Sequence, residues 1–213
     1  MINVLIAVPC LYGKVNAWFV NSLYESVLLG LQNNILLKPI FLADESILPM
    51  ARNELLNLAY CQEYDSMVFI DDDEEWSPET LLELIQSDKD VVSAPVVNKD
   101  DTAIQYNIFG VHKDPDPNDG FFKIDACGTG FLKLSKNVIK DLWESSLSCN
   151  FRGKPIKYIC EYIVDSDNFY GEDIVLSEKI KNLNYDIWVN PKNTVSHIGN
   201  KKFNGDFMNH LQT

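Results

Sequence analysis

Met67-Val68-Phe69-Ile70-Asp71-Asp72-Asp73 is the stretch whose reading decides the fold. Four apolar residues, β-branched at 68 and 70, run into three consecutive aspartates, the pattern of a short buried strand ending at a polar rim. In an open α/β sheet that rim, at the carboxyl ends of the strands, is where ligands bind. Three adjacent carboxylates repel one another, and Glu74 and Glu75 follow at once. A hard divalent cation such as Mg²⁺ or Mn²⁺ is the simplest compensation. The plain alternative is a solvated acidic turn before a helix capped by Ser77 and opened by Pro78.

Upstream, residues 48–61 have helical spacing with Leu55, Leu56 and Ala59 on an inward face. Arg52, near the start of that helix, reads either as a phosphate contact or as a structural partner of Asp44 or of the aspartate run. Residues 35–42 form a strand that ends in Ala43-Asp44-Glu45-Ser46, and residues 3–9 form the first strand. A loop carrying Tyr12 and Lys14 and a helix over 16–31 follow it. Tyr12 is placed to stack on a base and Lys14 to reach a phosphate; an exposed aromatic and a solvated lysine are the alternatives. There is no G-x-G-x-x-G and no P-loop, so dinucleotide and Walker-type readings fail. Downstream, 78–86 reads as a helix and 91–95 as a fourth strand. The order β-α-β-α-β-α-β predicts a mostly parallel sheet with right-handed crossovers.

From Asn98 the chain becomes loop-rich, with turn residues around a short strand at 105–111. A strand at 121–126 leads into Cys127-Gly128-Thr129-Gly130-Phe131, where the glycines either let the backbone approach a ligand or make a tight turn. Ser135 caps a helix running to about 146, and 152–162 is a basic hairpin or strand. Gly171-Glu172-Asp173 opens a helix ending near 184, with both acids in the first turn, where the dipole favours ionised carboxylates. Strands at 185–190 and 194–199 follow. The second carries His197, a structural histidine or a metal ligand, and Lys201 and Lys202 beyond it suit a phosphate. Residues 209–213 read as a frayed end.

The 213 residues, 46% of them apolar, suffice for one α/β domain, with a nucleotide-binding half at 1–97 and a sugar- and acceptor-binding half at 98–213. A net charge of −13 argues against nucleic acid or an anionic membrane as partner. The five scattered cysteines lack zinc or redox spacing and read as reduced thiols. The first apolar run ends at Pro9, too short for a signal peptide or membrane span, and no N-x-[ST] acceptor occurs. These features predict a soluble, cytoplasmic protein.

The ordered set of Asp71-Asp72-Asp73 at a strand end, Gly171-Glu172-Asp173 at a helix start and His197 on a late strand resembles the nucleotide-sugar-dependent glycosyltransferases of the GT-A fold. Asp71 and Asp73 match their D-x-D motif and Glu172-Asp173 their acidic pair. The compact length also resembles the small glycosyltransferase domains of large algal viruses. The resemblance implies a Rossmann-like central sheet with a small antiparallel subregion. It implies Mn²⁺ or Mg²⁺ held by Asp73 and His197, with Asp71 contributing through a metal-bound water or the ribose. It assigns Tyr12, Lys14, Asp44, Arg52, Asp72, Lys201 and Lys202 to the nucleotide. Gly128, Thr129 and Gly130 fall to the sugar and acceptor. The donor is then a nucleoside-diphosphate sugar, with uridine favoured by analogy, and the acceptor a glycan or glycoprotein hydroxyl. Asp173, beside Glu172, is the general base of an inverting transfer, or positions donor hydroxyls in a retaining one. Glu74 and Glu75 lie outside the family pattern and read as solvated. A sugar-1-phosphate nucleotidyltransferase, a phosphohydrolase with Asp71 as nucleophile and a non-catalytic carbohydrate- or nucleotide-binding module are the competing readings.

Overall fold

The computed structural model describes residues 1–212. The first part of the chain runs β1 (Ile2–Cys10), α1 (Ala17–Gln32), β2 (Ile35–Ala43), α2 (Leu48–Cys61), β3 (Ser66–Ile70), β4 (Glu74–Glu75), α3 (Pro78–Gln86) and β5 (Val91–Ser93). The second continues with β6 (Ile108–Phe109), β7 (Phe122–Ile124), β8 (Ala126–Cys127), β9 (Phe131–Ser135) and α4 (Lys136–Ser145). Two hairpins follow, β10 (Ser148–Phe151) with β11 (Lys154–Lys157) and β12 (Ile163–Val164) with β13 (Phe169–Tyr170). The chain closes with α5 (Glu172–Asn182), β14 (Ile187–Val189), β15 (Ser196–Ile198), β16 (Lys202–Phe203) and α6 (Phe207–His210).

Side-chain caps start the helices where the sequence predicts them. The Asn16 side chain accepts the Phe19 N–H at 2.7 Å at the start of α1, and Ser77 accepts the Thr80 N–H at 3.3 Å before Pro78 opens α3. Such caps satisfy N–H groups that have no partner inside the helix.

Seven strands form the main sheet in the order β2-β1-β3-β9-β5-β14-β7. β2, β1, β3, β5 and β14 run one way, while β9 and β7 are antiparallel to their neighbours. The sheet is thus mostly parallel, as the sequence predicts. The central neighbour of β3, however, is β9, which the sequence reading leaves inside a loop. Its pattern Phe-Leu-Lys-Leu-Ser hides a strand because Lys133, at mid-strand, reads as a surface residue. In the fold Lys133 is buried and donates to the carbonyls of Ser87 at 3.0 Å and Lys89 at 2.5 Å, beyond the end of α3. A buried ammonium supplied with carbonyl acceptors takes the place of an apolar residue.

Strand alternation divides the core between the two faces of the sheet. Val4, Ile6, Val8, Val68 and Ile70 pack with Phe19 and Leu23 of α1 and Leu81 and Leu84 of α3. Leu5, Ala7, Met67, Phe69 and Leu134 pack with Leu55 and Leu56 of α2, Leu142 of α4 and Leu176 of α5. Parallel strands covered on both faces in this way read as continuous apolar runs.

A second sheet, β16-β15-β4, corrects the reading of Glu74 and Glu75 as a solvated turn. Both are in a strand, with Ser196 opposite Glu75 and His197 opposite Glu74. The C-terminal segment is thereby fixed beside the end of β3. Residues 207–210 are helical, with Phe207 buried edge-on against Tyr106, so that part of the tail is packed; Thr213 lies outside the described residues.

Leu134 on β9 is fully buried, whereas Leu147 is 82% exposed. Leu134→Ala is expected to lower unfolding free energy by about 2–5 kcal/mol and Leu147→Ala by less than about 0.5 kcal/mol. Urea denaturation checks both, and equal effects would contradict a central position for β9.

Candidate active site

The carboxyl ends of β1, β2 and β3 open onto a cleft of about 500 Å³. Pro9, Leu11 and Tyr12 line it after β1, Glu45, Ser46 and Leu48 after β2, and Asp71, Asp72 and Asp73 after β3, with His197 of β15 facing the aspartates. Tyr12 is 78% exposed and offers an open ring face at the mouth.

Asp73 and His197 meet directly. His197 Nε2 lies 3.1 Å from Asp73 Oδ1, and His197 Nδ1 lies 3.0 Å from the Val97 carbonyl oxygen. A carbonyl only accepts, so Nδ1 carries a proton, and Nε2 hydrogen-bonds the carboxylate when it too is protonated. Lys99 donates to the other carboxylate oxygen, Asp73 Oδ2. Burial pushes the Asp73 carboxyl up, but the hydrogen bonds from His197 and Lys99 outweigh it and hold the group below the usual carboxylate range.

The donors of this pair suit a small divalent ion. A carboxylate oxygen and an imidazole nitrogen about 3 Å apart match two adjacent positions around an ion with bonds of about 2.0–2.2 Å. The Val97 carbonyl fixes the ring as the outer partner of a ligating histidine does. Lys99 already supplies a positive charge at the same carboxylate. Asp71 does not join them. Among the described residues there is no group of three or more His, Cys, Asp or Glu side chains that could hold a metal ion, so Asp71, Asp73 and His197 do not form the expected trio.

Asp71 is instead tied to Arg52, only 2% exposed on α2. Arg52 Nη2 donates to Asp71 Oδ1 at 3.1 Å, Nε to Glu172 Oε1 at 3.3 Å and Nη1 to the Thr129 carbonyl at 3.5 Å. The structural alternative for Arg52 therefore describes its geometry, and no phosphate reaches it without breaking these contacts. Glu172 is also buried. Burial pushes its carboxyl up while Arg52 draws it back. Asp173 Oδ1 accepts its helix's Ile174 N–H at 2.8 Å.

Gly128 and Gly130 flank Thr129, and protein groups fill the space beside both. A Cβ at Gly130 would meet Glu74 Oε1 at 2.3 Å and Asp71 Oδ2 at 3.1 Å, and one at Gly128 would meet Asn107 Nδ2 at 2.7 Å. Glycine is needed here because carboxylates crowd the backbone. Glu74 is only 1% exposed, and its Oε2 has no hydrogen-bond partner among the described residues. Burial, reinforced by Asp71 and Asp73, pushes its carboxyl well above the usual range, in the direction of the neutral form.

The remaining expected nucleotide contacts divide. Asp72 lines the cleft beside Cys10, burial being the main cause of its raised pKa. Lys14 is exposed outside the lining, with its carbonyl accepting from Cys10 Sγ at 3.2 Å. Lys201 pairs with Asp101 and Lys202 with Glu75, so neither lines the cleft. Asp44 is turned away with φ +64°, and its neighbour Glu45 lines the cleft in its place. Aspartate tolerates a left-handed backbone better than glutamate, a signal that the sequence reading did not use. Lys99 was missed because nothing in Asn98-Lys99-Asp100 separates it from turn residues.

Neither a family model nor a curated protein matches the chain by sequence. The fold does match solved structures, and it is the GT-A fold of glycosyltransferases. A197 from STIV superposes with a TM-score of 0.58 at 15% identity, over 93% of this chain and 86% of that one. GalNAc-T7, solved with UDP, GalNAc and Mn²⁺, gives 0.53 at 12% identity over 93% of this chain and 44% of that one. S. aureus TarS 1-349 with UDP-GlcNAc gives 0.52 at 16% identity over 98% and 61%. This chain thus spans less than two thirds of the last two. No helix among the described residues is long and apolar enough to cross a membrane, and all five cysteines are free thiols.

A buried Glu74 with a raised pKa has a definite pH signature. Its folded pKa is raised, so the stability it contributes is present below the unfolded value of 4.5 and is lost as pH rises through the folded value. Glu74→Gln removes that loss. The variant is expected to gain in Tm relative to the parent as pH is raised from 5 to 8, and parallel Tm curves would show that Glu74 is ionised in the fold.

Proposed function

We propose that the protein is a metal-dependent glycosyltransferase that moves a sugar from a nucleoside-diphosphate sugar, a UDP-sugar in the first instance, to a hydroxyl of a glycan or glycoprotein acceptor. The observation that carries this reading is the pairing of Asp73 with His197 at the mouth of a cleft built from three adjacent strand ends. The fold shared with proteins crystallised with UDP or UDP-GlcNAc supports it.

In this reading Tyr12 stacks on the base, and Glu45, Ser46 and Asp72 face the ribose and the first phosphate. Asp73 and His197 would hold Mn²⁺ or Mg²⁺, which would supply Lewis-acid neutralisation of a leaving diphosphate. Arg52 keeps Asp71 and Glu172 at a fixed separation, so the two carboxylates position groups and take no part in proton transfer. Asp173 has one oxygen engaged by the Ile174 N–H and offers the other to the acceptor hydroxyl. As the acceptor oxygen bonds to the anomeric carbon, the carbon–oxygen bond to the diphosphate breaks and Asp173 takes the proton. The Gly128-Thr129-Gly130 backbone walls the sugar side. Glu172, bound by Arg52, aligns the helix that presents Asp173.

Release of UDP from a panel of UDP-sugars tests the reading. Release is expected with Mn²⁺, to be abolished by EDTA, and to fall about 10²- to 10⁴-fold in kcat for Asp173→Asn with little change in donor KM. Release that resists EDTA, or none with any donor, would overturn it.

A further inference from the structure

The hairpin of β12 and β13 carries Tyr162, Ile163, Val164, Phe169 and Tyr170, and none of these side chains belongs to either core. Phe169 is 66% and Val164 72% exposed. Opposite residues of an antiparallel pair share a face, so Val164 and Phe169 lie on one side, Ile163 and Tyr170 on the other. The Tyr162 ring joins the first side, its centroid 5.3 Å from that of Phe169 at an interplanar angle of 35°. The result is a surface two rings wide with Val164 at its edge, and exposed apolar surfaces of this kind mark binding sites.

The surface is fixed at both ends. Asn53, next to the buried Arg52, accepts the N–H groups of Ile159 and Cys160 at 2.9 and 2.7 Å and donates to the Cys160 carbonyl at 2.8 Å. At the tip, Asp165 Oδ1 accepts the N–H groups of Asp167 at 2.9 Å and Asn168 at 2.8 Å. A platform held in this way loses little freedom when it binds. It also abuts the start of α5, because β13 ends one residue before Gly171. A Cβ on Gly171 would meet Asp173 Oδ1 at 2.6 Å, so the Asp173 carboxylate leans back over the joint between hairpin and helix. Burial pushes the Tyr162 hydroxyl up, and the charges of Glu172 and Asp173 add to it, which puts that end of the ring within electrostatic reach of both.

We propose that the Tyr162–Phe169 face of this hairpin is the acceptor platform and that its occupant is a pyranose ring of an uncharged glycan, laid on the two rings with a hydroxyl turned to Asp173. This assignment rests on the proposed function and narrows its acceptor from any hydroxyl compound to a saccharide. Charge selects the occupant. From Tyr158 to Ser177 the chain holds Glu161, Asp165, Asp167, Glu172 and Asp173 and no lysine or arginine, so an acidic peptide or an anionic membrane is repelled. A neutral peptide would leave backbone groups over the rings without partners. A pyranose matches both features: the C–H groups of one ring face bury against the aromatic rings, and the hydroxyls around its rim donate to the carboxylates.

The test uses Phe169→Ala and Phe169→Trp in the full chain, with Tyr24→Ala removing an exposed ring from α1. Both side chains lie outside the cores, so thermal midpoints are expected to stay near the parent's. Saturation-transfer NMR with cellotriose, maltotriose and chitotriose, and with a neutral peptide containing serine and threonine, reads binding without donor or metal. At least one saccharide is expected to bind, receiving saturation at the C–H protons of one ring face. Its Kd is expected to rise about five- to tenfold in Phe169→Ala, the scale of one ring contact, and to return in Phe169→Trp. Tyr24→Ala is expected to bind like the parent. Binding of none of the saccharides, equal binding by parent and Phe169→Ala, or equal losses in Phe169→Ala and Tyr24→Ala overturns the proposal, as does binding of the peptide in their place. Saccharide binding that depends on Phe169, with no UDP release from any donor, leaves the platform standing and overturns the transferase reading. Release that requires Mn²⁺, with saccharide binding indifferent to Phe169, does the reverse.

Discussion

A buried guanidinium is the constraint on which the site depends. Arg52 sits beneath the acidic strand end over the ring of Phe69, at 5.4 Å from its centroid, and touches three elements that are far apart in the sequence. Burial alone disfavours its charge, and Asp71 and Glu172 outweigh that term. The fork geometry matters because one planar group serves β3, the 128–130 loop and the start of α5 at once, which a lysine head cannot do. Without it, two carboxylates would remain desolvated side by side, a situation more damaging than losing the pair as a whole. The spacing between the strand end and the helix carrying Asp173 is thus set by an ion that never meets solvent.

The same economy of charge explains Glu74. Its neighbours Asp71 and Asp73 have cations of their own, Arg52 and Lys99, and none remains for a further carboxylate packed against Gly130. Burial and these like charges push its pKa well above the ordinary carboxylate value. Five consecutive acids therefore behave in different ways. Asp71 is locked, Asp72 faces the cleft, Asp73 is shared between imidazole and ammonium, Glu74 is buried with a raised pKa, and Glu75 meets Lys202.

Much of this was legible in the sequence. Continuous apolar runs, helical spacing and the Ser77–Pro78 cap gave the strands and helices of the first part of the chain to within about two residues, β4 excepted, and the carboxylates at the end of β3 pointed to the cleft. What stayed hidden has physical reasons. β9 carries a lysine whose acceptors are carbonyls of a distant segment, and no local pattern reveals such a partner. Lys201 and Lys202 looked available for phosphate because their carboxylates, Asp101 and Glu75, lie far off along the chain. The glycines around Thr129 read as admitting a ligand or making a tight turn, and the groups that approach them in the fold are Glu74, Asp71 and Asn107. Positions of elements follow from local chemistry, whereas the pairing of charges follows only from the finished topology.

The reversed strand at the centre of the sheet also governs how the molecule is made. β3 and β5 are complete early in synthesis, yet the element that joins them ends only at Ser135. Until the ribosome has passed that point, β3 presents an open, apolar edge of the kind that recruits stray strands. Pairing of β9 covers that edge of β3, while the far edge of β5 waits for β14.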